Sequence, residues 1–122
     1  MNLQDGKELY LRINTRYNRF SIYKQTLEYI GNPDFIHLGF HPKSGRLMVL
    51  GAWTDEKKAI RVHFDNRGSF YFYSKSLING IREINGSLRE EGSYLLKGML
   101  VESMPAICFS VREAQTDADD EK

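Results

Sequence analysis

Few side chains in this sequence can do covalent or metal chemistry, and they do not gather. There are 3 histidines and 1 cysteine. His37 and His41 share a strand face only if that strand runs on to Pro42, and two histidines without a third ligand make no zinc site. His63 lies on the polar side of an alternating segment. Cys108, embedded in Ala106-Ile107-Cys108-Phe109, reads as a small core residue rather than a nucleophile. A single cysteine also excludes an internal disulfide and a cysteine-built zinc site within one chain. The acids form no acid–base pair, and no glycine-rich loop is followed by the Lys-Ser/Thr that would hold a phosphate. The reading is therefore non-enzymatic, with no catalytic residue, no metal ligand and no cofactor. What remains is cationic and aromatic. Arg12 and Arg16 fall on one side of an alternating segment, and Phe70 to Tyr73 is a run of aromatics close to Lys75. Such a run can stack bases, but Phe70 and Phe72 are first of all expected to fill the core, leaving Tyr71 and Tyr73 half exposed.

The elements that would carry these residues follow from periodicity. Leu11, Ile13, Thr15 and Tyr17 alternate with Arg12, Asn14, Arg16 and Asn18, which predicts a half-buried strand from Tyr10 to Asn18. Asn18-Arg19 supplies a tight turn, and Phe20 to Ile22 returns. Tyr23, Leu27 and Ile30 define one face of a short helix stopped by Gly31. Phe35 to Phe40 and Arg46 to Leu50 form a hairpin around His41 to Gly45. Trp53, in the connecting stretch Gly51 to Lys58, should pack back on the body. Ala59 to Phe64 alternates again, Asp65 to Gly68 turns, and Ser69 to Tyr73 is a strand. Ser74 is a helix N-cap ahead of the stripe Leu77, Ile78, Ile81 and Ile84, with Asn85-Gly86 as the stop. Tyr94 to Val101 and Ala106 to Val111 make the last hairpin. From Glu113 the chain offers nothing to bury, and residues 113–122 are expected to be a disordered acidic tail.

Residues 10–50 and 59–111 thus read as two copies of strand, turn, strand, short helix, strand, turn, strand. Phe20 and Ile22 match Phe70 and Phe72, Leu27 matches Leu77, and Leu47 to Leu50 match Ala106 to Phe109. On Arg19-Phe20-Ser21-Ile22, Leu27 to Gly31, Phe35 to Phe40 and Leu47 to Leu50, the chain resembles the AbrB/MraZ/SpoVT superfamily of swapped-hairpin DNA-binding domains. Tyr23 and Ser74 stand where that family has proline. The resemblance implies a mainly β (α+β) fold whose tandem units interleave their hairpins into one barrel with a pseudo-two-fold axis. It also implies double-stranded DNA as partner, contacted by Arg12, Arg16 and Arg19 with Arg61 and Arg67 from the second copy. Arg12, Arg16 and Arg19 are expected on one surface with Arg61 or Arg67, exposed and free of carboxylate partners. They are equally at home on the solvated faces of half-exposed strands.

Length and charge set the frame. The 122 residues predict one domain, residues 1–112, made of the two copies. Net charge is +1, but residues 113–122 hold five acids and one base, so the remainder carries 16 bases against 11 acids. The first residues lack the apolar segment of a signal peptide, and no apolar run reaches membrane-spanning length, so a cytoplasmic protein without a membrane partner is expected. Two functions fit: a small DNA-binding regulator, or a protein-binding inhibitor or antitoxin from a phage or mobile element that blocks, for example, a nuclease or CRISPR effector. A homodimer is compatible with either.

Overall fold

The computed structural model of the protein describes residues 9–117. In chain order they form β1 (Leu9–Asn14), β2 (Arg19–Tyr23), α1 (Lys24–Glu28), β3 (Phe35–His41), β4 (Arg46–Ala52), β5 (Ile60–Arg61), β6 (Ser69–Tyr73), α2 (Lys75–Ile84), β7 (Ser93–Leu100) and β8 (Ala106–Thr116). The fold is mainly β, as expected, with two short helices. The strands join a single antiparallel sheet in the order β5-β3-β4-β8-β7-β1-β2-β6, curled into a half-barrel. Hairpin β1–β2 lies between β7 and β6, and hairpin β3–β4 lies between β5 and β8. No ladder joins the first two hairpins to each other.

The alternation of side chains decides which face is inner. Leu11 and Ile13, Phe20 and Ile22, Leu47 and Val49, Phe70 and Phe72, and Ile107 and Phe109 all turn inward and are buried. Phe20 stacks on Phe72 across the β2–β6 pair, with ring centroids 5.0 Å apart. Helix α2 starts where expected: the Ser74 hydroxyl accepts a hydrogen bond from the Leu77 N–H at 3.1 Å. It buries Ile78 and Ile81. Helix α1 ends through Gly31, whose φ of +89° is the left-handed stop anticipated from sequence. Trp53 is about half exposed, yet its ring edge lies against Gly31. Leu38, Val62 and Leu77 are only partly buried against the core. Among the described residues no helix is long and apolar enough to cross a membrane.

Four expectations are corrected. The first strand stops at Asn14 rather than Asn18, because the Asn14 side chain accepts the N–H groups of Arg16 and Tyr17 and closes a turn. Tyr23 does not lie on a buried helix face; it ends β2 in an extended conformation and is 42% exposed. The stretch from Ala59 to Phe64 is not one strand: Ile60 and Arg61 pair with β3, and only Phe64 reaches over to Phe70. Residues 113–117 are not a disordered tail. Strand β8 runs to Thr116, pairing Ile107 to Phe109 with Leu100 to Gly98 and Ala114 to Thr116 with Leu96 to Tyr94, around a bulge. The long β7 strand would otherwise leave half its edge open, and Ala114 adds its methyl to the core. Asp117 is buried, its N–H donating to the Ser93 carbonyl at 2.9 Å. Residues 118–122 of the expected tail lie outside the described residues.

One glycine carries the β7–β8 contact. A Cβ at Gly98 would stand 2.6 Å from Phe109 and 2.7 Å from Ile107, both buried and with no room to retreat. Gly98→Val is therefore expected to cost about 1–3 kcal/mol by overpacking. Urea unfolding of the variant beside the wild type measures it, and an unchanged midpoint would show that the core yields there.

Candidate nucleic-acid interface

The outer face of the sheet is polar and aromatic over β1, β2 and β6. Cross-strand register sets Arg12, Ser21 and Tyr71 in one row and Asn14, Arg19 and Tyr73 in the next. These are the residues alternate to the buried Ile13, Phe20, Ile22, Phe70 and Phe72, so the pleat that fills the core also lifts them outward. Tyr73 is 65% exposed, and Tyr17, Tyr23 and Tyr71 are exposed as well.

The β1–β2 turn is a built feature. Asn18 takes a left-handed φ of 54°, and Thr15 ties the turn to the loop before β7: its hydroxyl donates to the Arg89 carbonyl at 2.8 Å and accepts from the Gly92 N–H at 2.9 Å. This fixes where Arg16 and Tyr17 emerge. The Arg16 guanidinium lies 5.3 Å from the Tyr17 ring centroid. Arg19 lies 5.6 Å from the Tyr17 ring and 5.3 Å from the Tyr71 ring, so it bridges two exposed tyrosines. Such cation–π contacts contribute about 0.5–1 kcal/mol each when exposed. Their larger consequence is orientation, since a guanidinium held over a ring loses little further freedom on meeting a ligand.

The five candidate arginines have different surroundings. Arg12 is largely spent: its Nε donates to the Asp117 carboxylate, and its Nη1 donates to the Tyr23 hydroxyl at 2.7 Å. Its side chain is 23% exposed and that of Asp117 5%. Burial pulls the Arg12 pKa down, but the hydrogen bonds to Tyr23 and Asp117 outweigh it, so the pKa is raised and the group stays cationic. Arg16 has Glu91 at 3.7 Å, a pair exposed on both sides and of little strength. The expectation of carboxylate-free arginines thus fails at Arg12 and, weakly, at Arg16. Arg19 makes no ion pair among the described residues. Arg61 is on β5, which comes round to β6 through the Phe64–Phe70 bridge; it is stacked over Phe35 at 4.9 Å and faces a groove on the far side of Tyr71 and Tyr73 from Arg19. Arg67 lies in the turn before β6, its backbone N–H given to Asp65. The compact set is therefore Arg16 and Arg19 with Tyr17, Tyr71 and Tyr73.

Sequence reasoning set Tyr17 on the side of Leu11 and Ile13 and Tyr23 on a helix face, whereas both are exposed, and it did not single out Asp117. Tyr17 had a signal, since Asn14 and Asn18 bracket it as turn formers. The Arg12–Asp117 pair joins residues 105 apart in sequence and had no local signal. The histidines remain isolated. His37 Nε2 is 2.9 Å from Glu56, and His41 pairs with Ser44. No cluster of three or more His, Cys, Asp or Glu suited to a metal occurs among the described residues.

The turn leading into β6 depends on an ionised acid. The Ser69 and Arg67 N–H groups donate to Asp65, with help from the Tyr71 hydroxyl, and hold the Asp65 carboxyl below the usual carboxylate range. A carboxyl with a lowered folded pKa contributes stability above its unfolded pKa and loses it as pH falls through the lowered value. The wild type should therefore melt higher than Asp65→Asn at neutral pH. The difference should shrink once pH drops below about 4, the ordinary Asp range. Thermal melts of both proteins from pH 7 to pH 2.5 check this; a difference independent of pH would contradict it.

Comparison with family models, with curated proteins and with solved structures finds no match to this chain.

Proposed function

We propose that the protein binds nucleic acid on the β1–β2–β6 face, and that it takes the strand single rather than as a duplex. The observation that carries this is Arg19, whose guanidinium makes no ion pair among the described residues and bridges two exposed tyrosines, with Tyr73 beside it in the same row. Exposed rings accept bases by stacking, about 1–3 kcal/mol per base, and the neighbouring cations meet the phosphates. The outward face of a curled sheet can offer rings to splayed bases. Reading a duplex calls for a helix or two-stranded ribbon that enters the major groove. The double-stranded DNA regulator expected from the sequence, with Arg12 as a principal contact, is supported less well because Arg12 is held by Asp117.

The tandem architecture belongs to the same proposal. Exchanging β1–β4 with β5–β8 in the strand order, and joining its ends through the Phe64–Phe70 bridge, returns the same circle of neighbours. The pairs Phe20–Phe72 with Ile22–Phe70, and Leu47–Phe109 with Val49–Ile107, are each related by that exchange. Both features support two copies that swap hairpins.

The test compares a labelled 12-nucleotide single strand with its duplex by fluorescence anisotropy at low salt. The single strand should bind more tightly, and Tyr71→Ala and Arg19→Ala should each weaken it by roughly ten-fold, as one stack or one oriented cation is lost. Preference for the duplex would return the reading to a duplex regulator. Absence of binding to either would leave the protein-partner reading in its place.

A further inference from the structure

The two ends of the sheet, β5 and β6, nearly meet. They follow one another in sequence and are tied by the antiparallel bridge between Phe64 and Phe70, with the Asp65 N–H donating to the Ser69 carbonyl at 2.9 Å. Beyond that bridge they separate, leaving an open groove of about 580 Å³ whose walls include Ile60, Arg61, His63, Tyr71 and Tyr73. The cause lies in how the leading strand is used. In β1 the same residues, Arg12 to Asn14, pair with β2 on one side and β7 on the other. The corresponding stretch before β6 divides the work: Ile60 and Arg61 pair with β3, and Phe64 alone pairs with β6.

Backbone direction makes the groove more than a gap. On β6, the groups flanking the β2 ladder are fixed by Lys24 N–H to Gly68 and Ser74 N–H to Asn18, while Ser69 turns both its N–H and its carbonyl toward Asp65. Strict alternation then points the N–H and carbonyl of Tyr73 into the groove. On the other wall, the Val62 N–H goes to the Asp34 carbonyl of the β3 side, which points the peptide groups of Arg61 into the groove as well. The walls carry the cation Arg61 and the acid Asp65. Arg61 makes no ion pair among the described residues, and the acid at the groove, Asp65, is occupied by the turn amides and Tyr71.

We propose that this seam is a docking site for a short extended segment of a partner protein that carries acidic side chains at alternate positions. The segment adds a strand beside Tyr71–Tyr73, its main chain meeting the Tyr73 and Arg61 peptide groups that point into the groove and its carboxylates meeting Arg61 and the His63 ring. Three residues, or ~10 Å of extended chain, match the open edge at roughly 3.3 Å per residue. The site uses the backbone edge of β6, which Tyr71 and Tyr73 share with the outer face, and it does not require that this face bind nucleic acid.

The probe is a blocked heptapeptide of alternating Glu and Val, with a Lys/Val counterpart and an acidic version interrupted by proline. Amide exchange and amide chemical shifts of the intact protein are followed by NMR. The acidic peptide should slow exchange at Tyr73 and Arg61, the lysine peptide should bind roughly ten-fold more weakly, and the proline version should not bind. Arg61→Glu should reverse the charge preference, and amide shifts that keep the wild-type pattern elsewhere show that the variant is folded. Equal binding of both charges, shifts outside the groove, or no protection by the acidic peptide would each overturn the proposal. So would concentration-dependent protection of the same amides without peptide, which would assign the edge to a second copy of this chain.

Discussion

Residues 1–55 alone are expected to give no folded monomer. That fragment contains β1–β2 and β3–β4, but no ladder joins these hairpins; their partners β7, β6, β5 and β8 all come later in the chain. Phe20 would lose Phe72, and Val49 would lose Ile107. A single hairpin is marginal at best in water, and two that cannot pair are no better. Circular dichroism should show an unfolded chain, or a melt that shifts with concentration as two fragments supply one another's missing strands. A cooperative melt independent of concentration would contradict the interleaved pairing.

The second large effect is expected at the other end. A chain ended at Arg112 loses the pairing of Ala114 to Thr116 with β7, and leaves the partly buried Arg12 without Asp117. Removing one partner of a buried ion pair costs more than the pair contributes, because the remaining charge is left desolvated. With the lost ladder, the total should be about 3 kcal/mol or more, or a fall of about 10 °C in Tm for a domain of this size. Asp117→Ala alone should account for about 1–3 kcal/mol of this, discounted because Arg12 is partly exposed. A truncated chain that melts with the intact protein would mean that this segment is not docked.

Local signals in the sequence were reliable where local physics decides. The alternation of Phe70 and Phe72 with Tyr71 and Tyr73 gave the two faces of β6 correctly, and Ser74 and Gly31 marked helix ends as expected. The order of elements, two strands, a helix and two strands, then the same again, was also legible. What could not be read was decided across the sheet. Glu113, Ala114, Gln115 and Thr116 look like a solvated tail until the exposed edge of β7 is seen to need a partner. Arg12 looks like a free cation until Asp117 arrives beside it. The break between Arg61 and Phe64 has no marker in the sequence, since Ile60, Val62 and Phe64 alternate as a continuous strand would; the pairing demands of β3 and β6 divide them. For the site, residue types pointed to arginines and aromatics, but their grouping around Arg19 depended on a turn at Asn14, where the strand ends four residues earlier than the alternation suggests.

Photo-cross-linking to a single-stranded oligonucleotide carrying 5-bromouracil tests the central claim most directly, because it reports which side chains meet the bases. Irradiation of the complex, followed by peptide mapping, should place the adducts on Tyr71 or Tyr73, with Tyr17 as the next site. Arg19→Ala should lower their yield, because the rings lose the cation that bridges Tyr17 and Tyr71. Adducts confined to the opposite part of the sheet, around Met99 on β7, or no adducts at a concentration where anisotropy reports binding, would contradict the β1–β2–β6 face as the nucleic-acid interface.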